Sequence, residues 1–294
     1  MGELIRVLVL GGTGLVGHMV VRRLSLSKDI SVTWTNHTNQ QDPNYLDVVA
    51  HPERLVQIFE ERSPEYVVNC IGLTTAHIKE DTYPSIHSAI MTNALFPRYL
   101  SEVASSQTIK VIHISTDGVF SGMSGPYFED SFQDGMDVYG RTKSLGEVNH
   151  HSFLNVRCSI VGPDPRKHQG LLEWFLSHPD FSYVYGFEDY QWNGVTSLDF
   201  AELCLKIILS GCFDGVVNES SIHHFCPNEP VTKYQLLRIF ASAFKRNIEI
   251  RPSKAPHGPV NRVLKTKFSS LKTICEKDRP MTLAVASLAD FMSN

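Results

Sequence analysis

Apolar positions in the first third of the chain alternate between two patterns. Ile5-Arg6-Val7-Leu8-Val9-Leu10 is a nearly unbroken aliphatic run, as expected of a parallel strand buried on both faces. From His18 to Leu26 the apolar residues Met19, Val20 and Leu24 fall on one helical face. Ile30 to Thr35 then reads as a second strand. Pro52 to Arg62 reads as a helix with Leu55, Ile58 and Phe59 on one side. A strand over Tyr66 to Cys70, one long helix over Ser88 to Ser105 and a strand over Ile109 to Ser115 complete the series. Strand, helix, strand, repeated, predicts βαβ units and a parallel sheet covered on both faces.

Beyond this point the pattern loosens. Ser121 to Met136 is a loop rich in Gly, Ser, Asp and Pro, and a helix is expected from about Asp137 to His150. Leu154 to Val161 reads as a strand closed by Gly162-Pro163. Leu198 to Leu209 returns to helical spacing, and Gly215 to Asn218 reads as a short strand. Thr232 and Gln235 have capping-box spacing ahead of Leu236, Leu237, Ile239 and Phe240. The expected division is a sheet domain over residues 1–162 and a smaller lobe over 163–294. Segments near 195–220 are expected to return to the sheet.

Chemistry enters with the loop after the first strand, Gly11-Gly12-Thr13-Gly14-Leu15-Val16-Gly17. Three glycines in G-x-x-G-x-x-G spacing, between a buried strand and a helix, let the backbone approach a pyrophosphate whose charge meets the helix N-terminus. The second strand ends Thr35-Asn36-His37-Thr38-Asn39, and the first acid beyond is Asp42. A carboxylate at this position would bind the ribose diol of NAD, so strict NAD use is unsupported. There is no Arg either, which leaves a 2′-phosphate to Asn36, His37 and backbone amides; NADP(H) is expected over NAD(H). Further on, Tyr139 and Lys143 stand four apart on one helix face. A phenol beside an ammonium can pass a proton to a carbonyl oxygen as hydride arrives. Ile114-Ser115-Thr116-Asp117 ends a strand, where ligands of open α/β sheets bind.

Together the glycine loop, Ser115-Thr116-Asp117-Gly118-Val119-Phe120 and Val138-Tyr139-Gly140-Arg141-Thr142-Lys143 resemble an extended short-chain dehydrogenase/reductase, more narrowly the dTDP-4-dehydrorhamnose reductase family. Val67-Val68-Asn69-Cys70 with Thr74, and Asn93-Ala94-Leu95-Phe96-Pro97, are similar to further stretches of it. The resemblance implies a Rossmann-type, doubly wound parallel sheet with a small interleaved C-terminal substrate lobe, and NAD(P)H-dependent reduction of a nucleotide-activated 4-keto-6-deoxy sugar. Tyr139 would be the general acid, Lys143 would lower its pKa and hold the nicotinamide ribose, and Thr116 would bond the keto oxygen. The cofactor would rest on Gly11, Thr13, Gly14, Leu15, Val16 and Gly17, with Asp47 and Val48 at the adenine. Cys70, Ile71, Gly72, Thr74, Asn93 and Ser115 would line the rest of its groove.

Asp117, Val119 and Phe120 would line the sugar pocket, and Trp192 and Asn193 are expected to reach the nucleotide sugar. The chain departs from the family where Ser159 is followed by Ile160-Val161, and at Gln191 to Thr196. Gly118 after Asp117 replaces the acidic pair of the superfamily's dehydratases, which argues against elimination. The same fold also resembles the regulatory subunit of methionine adenosyltransferase, so a non-catalytic binding subunit is the alternative; a nucleotide-sugar epimerase is a third.

Composition narrows this further. The 294 residues carry 27 Lys and Arg against 31 Asp and Glu, a formal charge of −4, which argues against a nucleic-acid partner. Six cysteines, at Cys70, Cys158, Cys204, Cys212, Cys226 and Cys275, form no C-x-x-C pair, and no signal peptide or membrane span is expected. A reducing cytoplasm is the expected compartment, and a homodimer stays open. His223-His224-Phe225-Cys226 is one short cluster without a second pair, so no metal is expected and the segment reads as a loop beside the sugar site.

Overall fold

The computed structural model describes residues 3–274 and 278–293. Cys275 lies outside the described residues; the other five cysteines are free thiols. Six parallel strands form the central sheet: β1 (Ile5–Leu10), β2 (Ile30–Trp34), β3 (Tyr66–Asn69), β4 (Lys110–Thr116), β5 (Phe153–Cys158) and β10 (Ile222–His224). Their spatial order is β10-β5-β4-β3-β1-β2. The chain runs from β1 to β2 on one side and returns to β3 on the other. That reversal opens a crevice at the C-terminal strand ends, the usual ligand position in such sheets.

Alternation along β1 explains its unbroken apolar run. Val7 and Val9 pack into one apolar layer with Met19 and Val20 of α1 (Gly17–Leu24), whereas Leu8 and Leu10 pack into the other with Leu55 and Phe59 of α2 (Arg54–Arg62). The first layer continues into α7 (Ser197–Ser210), capped by a reciprocal Thr196–Asp199 box.

Several elements differ from their sequence expectations. The long helix over Ser88–Ser105 is divided: α3 (Tyr83–Ala89) passes through a π-helical turn, Ile90–Leu95, into α4 (Phe96–Ser106). The wider turn places Asn93 inward, buried beside the loop after β3. α5 (Val138–Leu145) is shorter than expected, begun by the Asp137 carboxylate on the Gly140 amide and ended at Gly146. There the Asn93 carbonyl would lie only 1.9 Å from an added Cβ. Gly215–Asn218 is helical, within α8 (Phe213–Glu219). Its Val216 and Val217 resemble a strand in sequence, yet both are buried on one side of a helical turn that packs beside β5. The expected strand over Leu154–Val161 breaks at Ser159, and its end, β6 (Ile160–Val161), pairs with β9 (Val195–Thr196).

The second lobe contains β8 (Tyr190–Trp192) between β11 (Val231–Thr232) and β13 (Val260–Asn261), and β7 (Tyr183–Phe187) paired with β12 (Glu249–Ser253). Over these strands lies α9 (Lys233–Ala243), started by the expected Thr232–Gln235 box. Among the described residues no helix is long and apolar enough to cross a membrane.

Candidate active site

A cleft of about 720 Å³ runs along the C-terminal strand ends, from the glycine loop to α5. Its floor is built from backbone. Gly11 turns at φ +75°, a conformation that favours glycine, and an added Cβ at Gly17 would stand 2.1 Å from the Gly11 carbonyl oxygen. Gly14 differs, since a Cβ there would meet nothing closer than 3.6 Å. The protein's own packing therefore leaves bare floor at Gly14. Among the described residues the Leu15 and Val16 amides find no protein acceptor, and α1 has no side-chain N-cap. A bare floor beside free amides at a helix N-terminus fits a pyrophosphate.

At the end of β2 the Gly11 and Gly12 amides donate to the Thr35 hydroxyl and carbonyl, each at 3.0 Å, fixing the glycine loop against this strand. Asn36 is engaged locally: Oδ1 accepts from the Thr38 and Asn39 amides and Nδ2 donates to Asp42. The Asp47 carboxylate accepts from the Val49 and Ala50 amides. Asp47 Oδ1 is thus committed to backbone amides, and Asp42 is held by Asn36 and the Asn44 amide. Burial depresses the His37 pKa, and the neighbouring Arg166 and Lys167 cations depress it further. On the opposite wall the Asn93 amide clamps both backbone groups of Leu73 at 2.9 Å, and it also donates to Thr142 of α5 at 3.2 Å. Asn93 thus positions the Cys70–Thr74 wall and the helix bearing Tyr139 together.

Thr116 and Tyr139 meet at the far end of the cleft, on either side of Gly118. Thr116 Oγ1 accepts from the Gly118 amide at 2.9 Å. Gly118 makes this approach possible, because an added Cβ would lie 2.9 Å from Tyr139 Cε1. A second acid at that position would displace the phenol.

Burial raises the Tyr139 pKa to about 12, with the neighbouring Thr116 hydroxyl opposing. The net shift is upward because burial outweighs the opposing contribution. Lys143, 4% exposed, donates to the Ile114 carbonyl at 2.7 Å, and burial brings its pKa down to about 8. Beside them Asp117 is buried, which raises its pKa, while Arg262, Lys233 and the neighbouring Ser159 and Thr116 hydroxyls oppose that rise.

Eighteen of the expected residues face this cleft, including Thr13, Asn36, His37, Asp47, Val48, Ile71, Gly72, Ser115 and the Thr116, Tyr139 and Lys143 set. The Ser115 hydroxyl is already committed to Glu147 at 2.7 Å. Val119 and Phe120 do not line a sugar pocket. They pack into a small core with Tyr127 and Leu264, Phe120 stacking on Tyr127 at 4.3 Å.

Trp192 and Asn193 are likewise interior. The indole is 1% exposed, and both amide groups of Asn193 pair with the Leu264 backbone. They shape the small-lobe core and do not offer a stacking face. His223 and His224 lie in β10, buried, with their ring nitrogens at the Val216 and Lys265 carbonyls, so this segment is an edge strand and not a loop. Among the described residues no group of three or more His, Cys, Asp or Glu could hold a metal ion. Sequence reasoning missed Arg166, Lys167, Ser159 and Arg262, all on the cleft wall. None belongs to a spaced motif, and only the folded chain brings them to the glycine loop and Asp117.

A family model described as "RmlD substrate binding domain" matches residues 5–277. The chain is 27% identical over 250 residues to methionine adenosyltransferase 2 subunit beta of Xenopus laevis, covering 81% of this chain and 72% of that protein. It is 31% identical over 145 residues to a dTDP-4-keto-6-deoxy-D-glucose reductase of Streptomyces niveus, covering 48% and 46%. A dTDP-4-dehydrorhamnose reductase of Bacillus anthracis, solved in complex with NADP, superposes with a TM-score of 0.78 over all of both chains at 16% identity, which is a likeness of fold.

Proposed function

The chain belongs to the RmlD substrate binding domain family, and from that premise we propose that it reduces the keto group of a nucleotide-activated 4-keto-6-deoxy sugar with NADPH. The observation that carries this reading is the juxtaposition of Thr116 and Tyr139 at the end of a cleft whose other end is a bare glycine floor with free amides. The residues present fit a dinucleotide: Gly14, Leu15 and Val16 would hold its pyrophosphate, and the Cys70–Thr74 wall and Lys143 its nicotinamide half. When bound, the reduced nicotinamide supplies the hydride.

The chain's own residues manage the proton. A carbonyl oxygen set against the Thr116–Tyr139 pair accepts from both hydroxyls, which polarises the carbon toward hydride. Tyr139 then gives its proton to that oxygen, completing the alcohol. With a pKa near 12 the phenol is protonated throughout the neutral range, as a donor must be. The positive charge of Lys143, one helical turn away, favours the phenolate left behind, which solvent reprotonates. Asp117, with Arg262 and Lys233 beside it, supplies polar groups for the sugar hydroxyls.

The experiment is NADPH oxidation over a panel of nucleotide-linked 4-keto-6-deoxy sugars. Turnover on one or more supports the proposal, and none across the panel with cofactor bound defeats it. A second reading, a non-catalytic subunit, is favoured by the extent of the similarity to subunit beta. It predicts cofactor binding with a stoichiometric protein partner and no oxidation.

A further inference from the structure

The loop between β6 and α6 (Leu171–Leu176) crosses the mouth of the cleft. Asp164 shapes it, its Oδ1 accepting the Arg166 and Lys167 amides at 3.2 and 3.1 Å, while its own amide is tied to Glu173 of α6 at 2.9 Å. Gly170, at φ +97°, lets the end of the loop lie against Leu15 of the glycine loop. In this conformation Arg166 Nη1 donates to the Thr13 hydroxyl at 2.9 Å, and Lys167 Nζ lies 2.9 Å from His77 Nε2 on the opposite wall.

Both cations lie close enough to His37 to depress its pKa. Among the described residues neither forms an ion pair with a carboxylate, although both stand near acids. Asp164 and Asp47 instead spend acceptors on backbone amides.

Thr13 follows Gly12, whose amide is held on the Thr35 carbonyl, so the Arg166–Thr13 contact stands beside the end of β2, where the sheet's own strand offers neither an acid nor a cation; Lys167 and His37 line the same cleft. Two unpaired cations with a hydroxyl and an imidazole suit a phosphate monoester, which carries more charge than either half of a pyrophosphate. We infer that the loop bearing Arg166 and Lys167 forms a site for the 2′-phosphate of NADP(H), so that the small lobe and not the end of β2 selects the cofactor. The inference rests on the proposal that the cleft holds a dinucleotide, but not on which sugar is reduced.

The test measures dissociation constants of NADPH and NADH by cofactor fluorescence on the full chain, wild type and R166A/K167A. Calorimetry with 2′,5′-ADP and 5′-ADP forms a second arm. Both substituted side chains are exposed, so the variant should fold. The wild type should bind NADPH at least about tenfold tighter than NADH, and the variant should lose about tenfold or more for NADPH and 2′,5′-ADP with under about twofold change for NADH and 5′-ADP.

Equal losses for both cofactors would assign the cations to the pyrophosphate and overturn the inference, as would an unchanged NADPH constant. A wild type that binds neither cofactor would bring down the dinucleotide reading with it. Retained discrimination without turnover on any keto sugar would defeat only the reductase.

Discussion

Tyr139 and Lys143 show how one helical turn sets two opposite protonation tendencies. Burial penalises the charged form of each, so the phenol rises to about 12 and the ammonium falls to about 8. For Lys143 the charge is present below its depressed pKa and is lost as pH rises through it. Tyr139 keeps its proton over the whole range in which this happens. Reduction should therefore fall as pH rises past about 8, while no limb from Tyr139 appears below that point. The kcat/KM profile of the wild type against Lys143→Arg checks this: arginine keeps its charge, so the alkaline limb should disappear or move up. An identical limb in both proteins would assign it to another group.

At the scale of elements, the strand end that carries Thr116 is braced by a buried ion pair. Arg157 of β5 donates twice to Glu147, at 2.6 and 2.7 Å, and the same carboxylate accepts from Ser115 of β4. Arg157, 1% exposed, also reaches the Glu129 carbonyl and faces His224 of β10, so the pair links three strands to the chain just after α5. Glu147→Ala leaves that guanidinium buried without its carboxylate and should cost about 3–5 kcal/mol in urea unfolding. A loss below about 1 kcal/mol would show that the network is not what holds the strand ends.

The β1–glycine loop–α1 unit and the Tyr139-bearing helix were legible in the sequence because local pattern and tertiary demand agree there. α8 was not, since two adjacent valines in a short segment fit strand or helix equally well until packing decides. The π-helical turn before α4 was also hidden, because the apolar periodicity carries straight across it.

At the scale of the whole molecule, the second lobe makes two contributions that pattern alone does not reveal. It carries side chains to the cleft from far along the chain: Arg166 meets Thr13 across 153 residues. A formal charge of −4 gave no sign of this, since the cations become a local field only once folded. It also hides aromatics that look available in sequence.

Trp192 fills the lobe's interior, with Lys233 Nζ 4.7 Å from its ring. Trp192→Ala should accordingly destabilise the fold by about 3–5 kcal/mol, through the cavity it leaves. A variant as stable as the wild type, with only KM for the nucleotide sugar raised, would return the indole to the pocket wall.

The most direct test of the account is single-turnover oxidation of NADPH by the wild type and by Tyr139→Phe, on whichever nucleotide-linked keto sugar the panel identifies. Phenylalanine keeps the ring against Gly118 and removes only the proton donor. The NADPH dissociation constant should stay unchanged and the rate should fall by about 10²–10⁴-fold, the usual contribution of a positioned general acid. Wild-type turnover by Tyr139→Phe would contradict it.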